Sequence, residues 1–174
     1  MQTRPAQLTD RDDWHRLRRA HHGDLVALID FSPWEDALPE FWGDAAAGGI
    51  DVFIGATRAE RHADGRELVA LDYEAYPEMA LSQMRDLARR ARERWPVVRL
   101  ALLHRVGRVA VGQPSVVVAV ACPHRGEAFE ACRWLIDTLK AEVPIWKKEV
   151  WADGSGTWAA GSVPQAPGPG GGAG

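Results

Sequence analysis

Leu68-Val69-Ala70-Leu71-Asp72-Tyr73-Glu74-Ala75-Tyr76 runs directly into Pro77-Glu78-Met79-Ala80, and this junction decides the fold class. The first part is rich in apolar and aromatic residues and predicts a strand over 68–76. At Pro77 the period changes. Ala80, Met84, Leu87, Ala88, Ala91 and Trp95 recur at helical spacing, which predicts a helix over 77–95 opened by a proline in its first turn. Its other face carries Arg85, Arg89, Arg92 and Glu93, plainly read as solvated.

The same alternation continues on both sides. Upstream, apolar runs predict strands over 25–31 and 50–56. Ser32-Pro33-Trp34-Glu35 has the pattern of a helix start, Pro39 breaks or restarts that helix, and Gly48-Gly49 ends it. Asp64-Gly65 marks a turn in a hairpin-like loop over 58–67. Downstream, strands are predicted over 97–104 and 115–121, joined by a connection with two glycines. A second helix is expected from near Pro123 to Glu142, with Ala128, Phe129, Cys132, Leu135, Ile136 and Leu139 on its apolar face. Pro144 stops it, and 147–151 reads as a last short strand. Strands mixed with two main helices, without strict alternation, favour α+β over a doubly wound sheet.

The organisation is one domain over 24–160 between two tails. Residues 1–23 are polar and charged, with a helical stretch expected around 14–19. Residues 161–174 are dominated by Pro, Gly and Ala, a composition that buries too little apolar surface to order itself. The 174 residues are 46% hydrophobic, enough for a real core, and the net charge of -3 argues against a nucleic-acid binder. The absence of a long apolar run or signal pattern predicts a soluble cytoplasmic protein with no membrane association. Cys122 and Cys132 have no metal-ligand spacing, so free buried thiols and no metal are expected. The eight tryptophans read as core or interface anchors, and no cofactor is assigned.

Three constellations could carry chemistry. Lys140 and Lys147 flank the Val143-Pro144-Ile145-Trp146 break, with Lys148 beside them. Two amines facing one cleft suit an anionic substrate, whereas the plainer reading is a basic helix end that complements its dipole. Cys122-Pro123-His124-Arg125 joins a strand to a helix N-terminus, where unpaired N–H groups and an arginine fork attract anions. A capped helix with exposed polar residues is the plainer account. Phe53-Ile54-Gly55-Ala56-Thr57-Arg58 ends a strand at a glycine, which allows close approach and sends Arg58 from the following loop. The aromatics of 73–79 read as packing.

In this order the pieces resemble the large, catalytic subunit of molybdopterin synthase. The carrying residues are Gly65-Arg66, Leu71 to Ala80, His104-Arg105-Val106-Gly107, Pro123-His124-Arg125, Ala128-Phe129-Glu130-Ala131 and Val143 to Glu149. The resemblance covers roughly residues 24 to 152. It implies an α/β hammerhead-type fold with a mixed antiparallel sheet. It also implies sulfur transfer from the thiocarboxylated Gly-Gly terminus of a small ubiquitin-like subunit to cyclic pyranopterin monophosphate (precursor Z), making the dithiolene of molybdopterin. The implied assembly is a homodimer within a heterotetramer, with each active site drawn from both large subunits.

Residue by residue, the resemblance implies catalytic roles for Lys140 and Lys147. It implies substrate contacts for Ala56, Thr57, Arg58, His124, Arg125, Lys148 and Glu149. The loop Ala59-Glu60-Arg61-His62 departs from the family pattern, which often has Asn or other small polar residues there, and Asp51 is unusual in its strand. A non-catalytic docking partner of a ubiquitin-like sulfur carrier is the alternative reading. An RNA-binding module using the arginine-rich helix is disfavoured by the acidic charge and the lack of aromatic stacking motifs.

Overall fold

The fold was analysed in a computed structural model that describes residues 7–8, 25–29 and 44–159. The expected helix from Ser32, the helical stretch at 14–19 and the 161–174 tail lie outside the described residues.

Two sheets share the strands. The first has five strands in the order β1 (Gln7–Leu8), β2 (Leu25–Ile29), β5 (Arg99–Arg105), β7 (Pro114–Cys122) and β3 (Gly49–Ala56). Its β1–β2 and β2–β5 pairs are parallel and its other pairs antiparallel. The second is a four-stranded antiparallel sheet in the order β6 (Gly107–Ala110), β4 (Leu68–Ala75), β8 (Ile145–Trp151) and β9 (Gly156–Trp158). Helices α1 (Pro77–Arg94) and α2 (Arg125–Glu142) pack on one face of the first sheet. The α+β expectation with a mixed sheet and two main helices therefore holds.

β5 and β7 are buried almost throughout, which is why both read as continuous apolar runs. Leu100 and Leu102 of β5 and Val116, Val118 and Val120 of β7 meet the helices in one core. From α1 come Ala80, Leu81, Met84, Leu87, Ala88 and Ala91, the expected stripe with Leu81 added. From α2 come Ala128, Ala131, Cys132, Leu135, Ile136 and Leu139. Phe129 does not join them. It sits at the edge of the stripe and is 55% exposed, a correction to its expected core position.

The solvated face of α1 is tied together by its own charges. Arg89 bridges Asp86 and Glu93, and Arg90 reaches Glu142 on α2 at 2.7 Å. Both cysteines are free and buried. Burial, with the Asp51 carboxylate beside it, pushes the Cys132 thiol up to about 12, so the unusual Asp51 faces a thiol kept protonated. No described helix is long and apolar enough to cross a membrane.

Three strands escaped the sequence reading, the first being β1, which lies inside the stretch read as an N-terminal extension and pairs with β2. β6 follows β5 after Val106 alone, inside a segment read as a glycine connection. β9 is short and exposed, formed by a turn at Gly154, whose φ of 83° suits glycine.

Candidate functional site

The chain gathers its candidate residues at the two ends of α2. Lys140 lies in the last turn of that helix, and its Nζ stands 5.8 Å from the centre of the Phe53 ring on β3. Lys147 lies on β8 directly opposite Tyr73 on β4, so both side chains leave the same face of the second sheet. Tyr73 packs edge-on against His104 at 5.1 Å, and its hydroxyl is directed at Ser115 and Thr57. The Thr57 hydroxyl oxygen is buried and makes no hydrogen bond of proper geometry. Arg58 follows at once, its side chain exposed and its Nη2 bonded to Glu60 at 2.5 Å. Lys140, Lys147, Thr57 and Arg58 thus surround one junction between the two sheets.

That junction is firmly built. Thr57 N donates to the Gln113 carbonyl at 2.9 Å, and Gly112 N donates to the Thr57 carbonyl at 2.8 Å. The buried Arg105 donates to the Pro114 carbonyl at 3.2 Å. Gly55 does not open a path for a ligand, as the sequence suggested: Phe53 and Val116 fill the space that its missing side chain leaves.

His104 is the buried centre. A carbonyl oxygen can only accept, so the 2.7 Å contact between His104 Nδ1 and the Arg105 carbonyl puts the proton on Nδ1. Nε2 then keeps its lone pair. Burial lowers the His104 pKa to about 4, aided by the Lys140 charge and opposed by the Arg105 hydrogen bond. The imidazole is therefore neutral at physiological pH. Burial likewise raises the Tyr73 phenol above its usual value.

The other end of α2 holds His124 and Arg125. Both side chains are exposed, and His124 occupies the cap position without a side-chain cap bond, so the first-turn N–H groups stay available to an anion. Gly48 and Gly49 make this geometry possible. A Cβ on Gly49 would lie 2.6 Å from the backbone of Arg125, and one on Gly48 would strike the Pro123 carbonyl. The sequence read these glycines only as a break. Gly49→Ala should displace the start of α2 and cost about 1–3 kcal/mol, as overpacking against backbone does. Denaturant melts would show it, and wild-type stability in that variant would contradict the close approach.

The structure does not bring all the predicted residues together within one chain. Arg125 and Lys140 are separated by the length of α2, about 22 Å at helical rise. Lys148 stands opposite Asp72, on the face of the second sheet away from Lys147, with its stem over Gly156. Glu149 shares the Lys147 face but accepts a hydrogen bond from Thr157 at 3.2 Å. Ala56 is exposed beside a register shift at the end of β3. Sequence reasoning missed Tyr73, Ser115 and Glu60 as neighbours of the lysines. Cross-strand pairing places Tyr73, and nothing local in the sequence reveals that pairing.

The sequence pattern of the family described as MoaE protein matches residues 28–142. The chain belongs to the MoaE protein family. A molybdopterin synthase catalytic subunit from Nostoc sp. is 51% identical over 132 residues, covering 75% of this chain and 79% of that protein. Another from Culex quinquefasciatus is 46% identical over 120 residues, covering 68% of this chain and 75% of that protein. The crystal structure of molybdopterin synthase from Staphylococcus aureus superimposes with a TM-score of 0.69 at 30% identity, covering 76% of this chain and 94% of that chain. As a MoaE protein the chain is an enzyme subunit, of the molybdopterin synthase catalytic type, in molybdenum cofactor biosynthesis. The resemblance drawn from the sequence stands.

Proposed function

We propose that this MoaE protein moves sulfur from the thiocarboxylated Gly-Gly terminus of a small ubiquitin-like subunit onto precursor Z, forming the dithiolene of molybdopterin. The observation that carries this reading is the clustering of Lys140, Lys147 and Arg58 around the sheet junction, next to a neutral His104. Thiocarboxylate and cyclic phosphate are both anionic, so their meeting needs fixed positive charge in a partly dry site. Lys140 and Lys147 receive the tail, polarise the thiocarboxylate and handle protons as its sulfur bonds to substrate carbon, the phosphate ring opens and water cleaves the acyl–sulfur bond to leave a carboxylate tail, two tails supplying the two sulfurs.

His124, Arg125 and the α2 N-terminus bind the phosphate or pterin side of the substrate. One chain keeps them about 22 Å from Lys140, so a second copy must supply them. A homodimer flanked by two small subunits satisfies that need, with one composite site at each end. Thr57 and Ala56 line the junction, while Lys148 and Glu149 continue the β8 strand that presents Lys147. Neither nucleic acid nor membrane has a part in this reading.

Arg125→Ala tests the anion site. Losing one charge-assisted contact should weaken precursor Z binding about tenfold or more, read by calorimetry with the purified dimer. Unchanged affinity would remove Arg125 from the substrate site. Full binding without any turnover by the wild-type assembly would favour the docking-partner alternative.

A further inference from the structure

We infer that Glu60 is a placeholder anion, whose carboxylate rests on Arg58 in the free chain and must leave when the terminal carboxylate-type group of the partner's tail arrives. This inference rests on the reading of the junction as the tail-receiving site. Its starting point is a contact inside the segment that departs from the family pattern.

Glu60 Oε1 accepts from Arg58 Nη2 at 2.5 Å. The backbone on both sides is fixed. Thr57 is clasped by Gly112 and Gln113, the Glu60 carbonyl accepts from Leu68 N at 2.9 Å, and Arg61 pairs with Glu67 at 2.5 Å. Arg58 and Glu60 therefore face each other from anchored positions. Both the Arg58 hydrogen bond and, to a smaller extent, the Lys147 charge hold the Glu60 carboxyl below the usual carboxylate range. Glu60 thus lies within the field of both cations that the tail would use.

The pair is made to be broken. The Arg58 side chain is 82% exposed, and Glu60 engages it through Nη2. An exposed pair of this kind contributes at most about 1 kcal/mol. A chain terminus that takes the guanidinium fork through two oxygens, or through an oxygen and a sulfur, with Lys147 beside it, makes the stronger contact. Glu60 has the same planar acceptor geometry as that terminus. It balances part of the positive charge while the site is empty and competes with weak anions from solution.

The test uses the intact dimer and two fluorescent peptides ending in Gly-Gly, one with a free terminal carboxylate and one with a carboxamide. Glu60→Gln should tighten binding of the carboxylate peptide about two- to five-fold, the scale of an exposed ion pair, and leave the carboxamide peptide unchanged. Adding Arg58→Ala to Glu60→Gln should erase the gain. Equal or weaker carboxylate binding by Glu60→Gln, with the wild type still preferring carboxylate over carboxamide, would overturn the placeholder alone. A wild type that does not distinguish the two peptides would overturn the tail-receiving site and the placeholder with it.

Discussion

Lys140→Ala should abolish molybdopterin formation from precursor Z and thiocarboxylated small subunit, lowering turnover by about 10²- to 10⁴-fold, the range for loss of a positioned proton-transfer group. The fold should survive. Lys140 is exposed in the last turn of α2, with its amine above the Phe53 ring, so its removal should move stability by no more than about 0.5 kcal/mol. A single-turnover assay beside a denaturant melt separates the two effects, and near-normal turnover would sink the role of Lys140. A sharper version mixes two impaired variants, at a precursor Z concentration too low to fill the Arg125→Ala site. If each site combines Lys140 of one copy with Arg125 of the other, random exchange of Lys140→Ala and Arg125→Ala chains yields mixed dimers with one intact site. About a quarter of wild-type activity should return. No return after confirmed exchange would rule out the composite site, because a site confined to one chain is damaged in both variants.

Acid should weaken the fold through His104. Its folded pKa, near 4, lies below the value of about 6.5 expected in the unfolded chain. Between these values the unfolded state binds the extra proton, so stability rises with pH across that window. The contribution is complete above about pH 6.5 and is lost as pH falls toward 4, for a total of about 3 kcal/mol. Denaturant unfolding at several pH values should show this slope, and His104→Asn should flatten it although the variant starts less stable. Equal slopes in wild type and variant would mean that the buried imidazole is not the group being titrated. In the proposed reaction the same neutrality would let the Lys140 and Lys147 charges act on the substrate without a third cation buried beneath them.

Much of the fold was legible because burial leaves a period. The α1 stripe and the continuous apolar runs of β5 and β7 appear in the residues themselves. β6 and β9 were not legible. Both are short; β6 pairs with the distant β4, and β9 folds back on β8 through a tight turn, so pairing and not propensity makes them strands. Phe129 was misplaced because an apolar residue at the edge of a helical stripe has the right spacing without the depth. At the candidate site, Lys140 and Lys147 stood out as amines around a proline break, and His124-Arg125 as a helix start. Their separation along α2 could be counted from the sequence, but the junction could not. Tyr73 meets Lys147 only through the β4–β8 register, and Thr57 is fixed by the turn before β7. Long-range partners of this sort leave no periodic trace.

Val106 is the sole residue between β5 and β6, so one nearly continuous strand path crosses both sheets. Arg105 and the clasp on Thr57 rivet the same crossing. A hinge there would have to tear several hydrogen bonds at once, so the two sheets turn as one body. Among the described residues, the junction therefore has no jaw of its own. Under the proposed sulfur transfer, the arriving peptide would be stopper and reagent together, and its residence time would set the clock of the cycle.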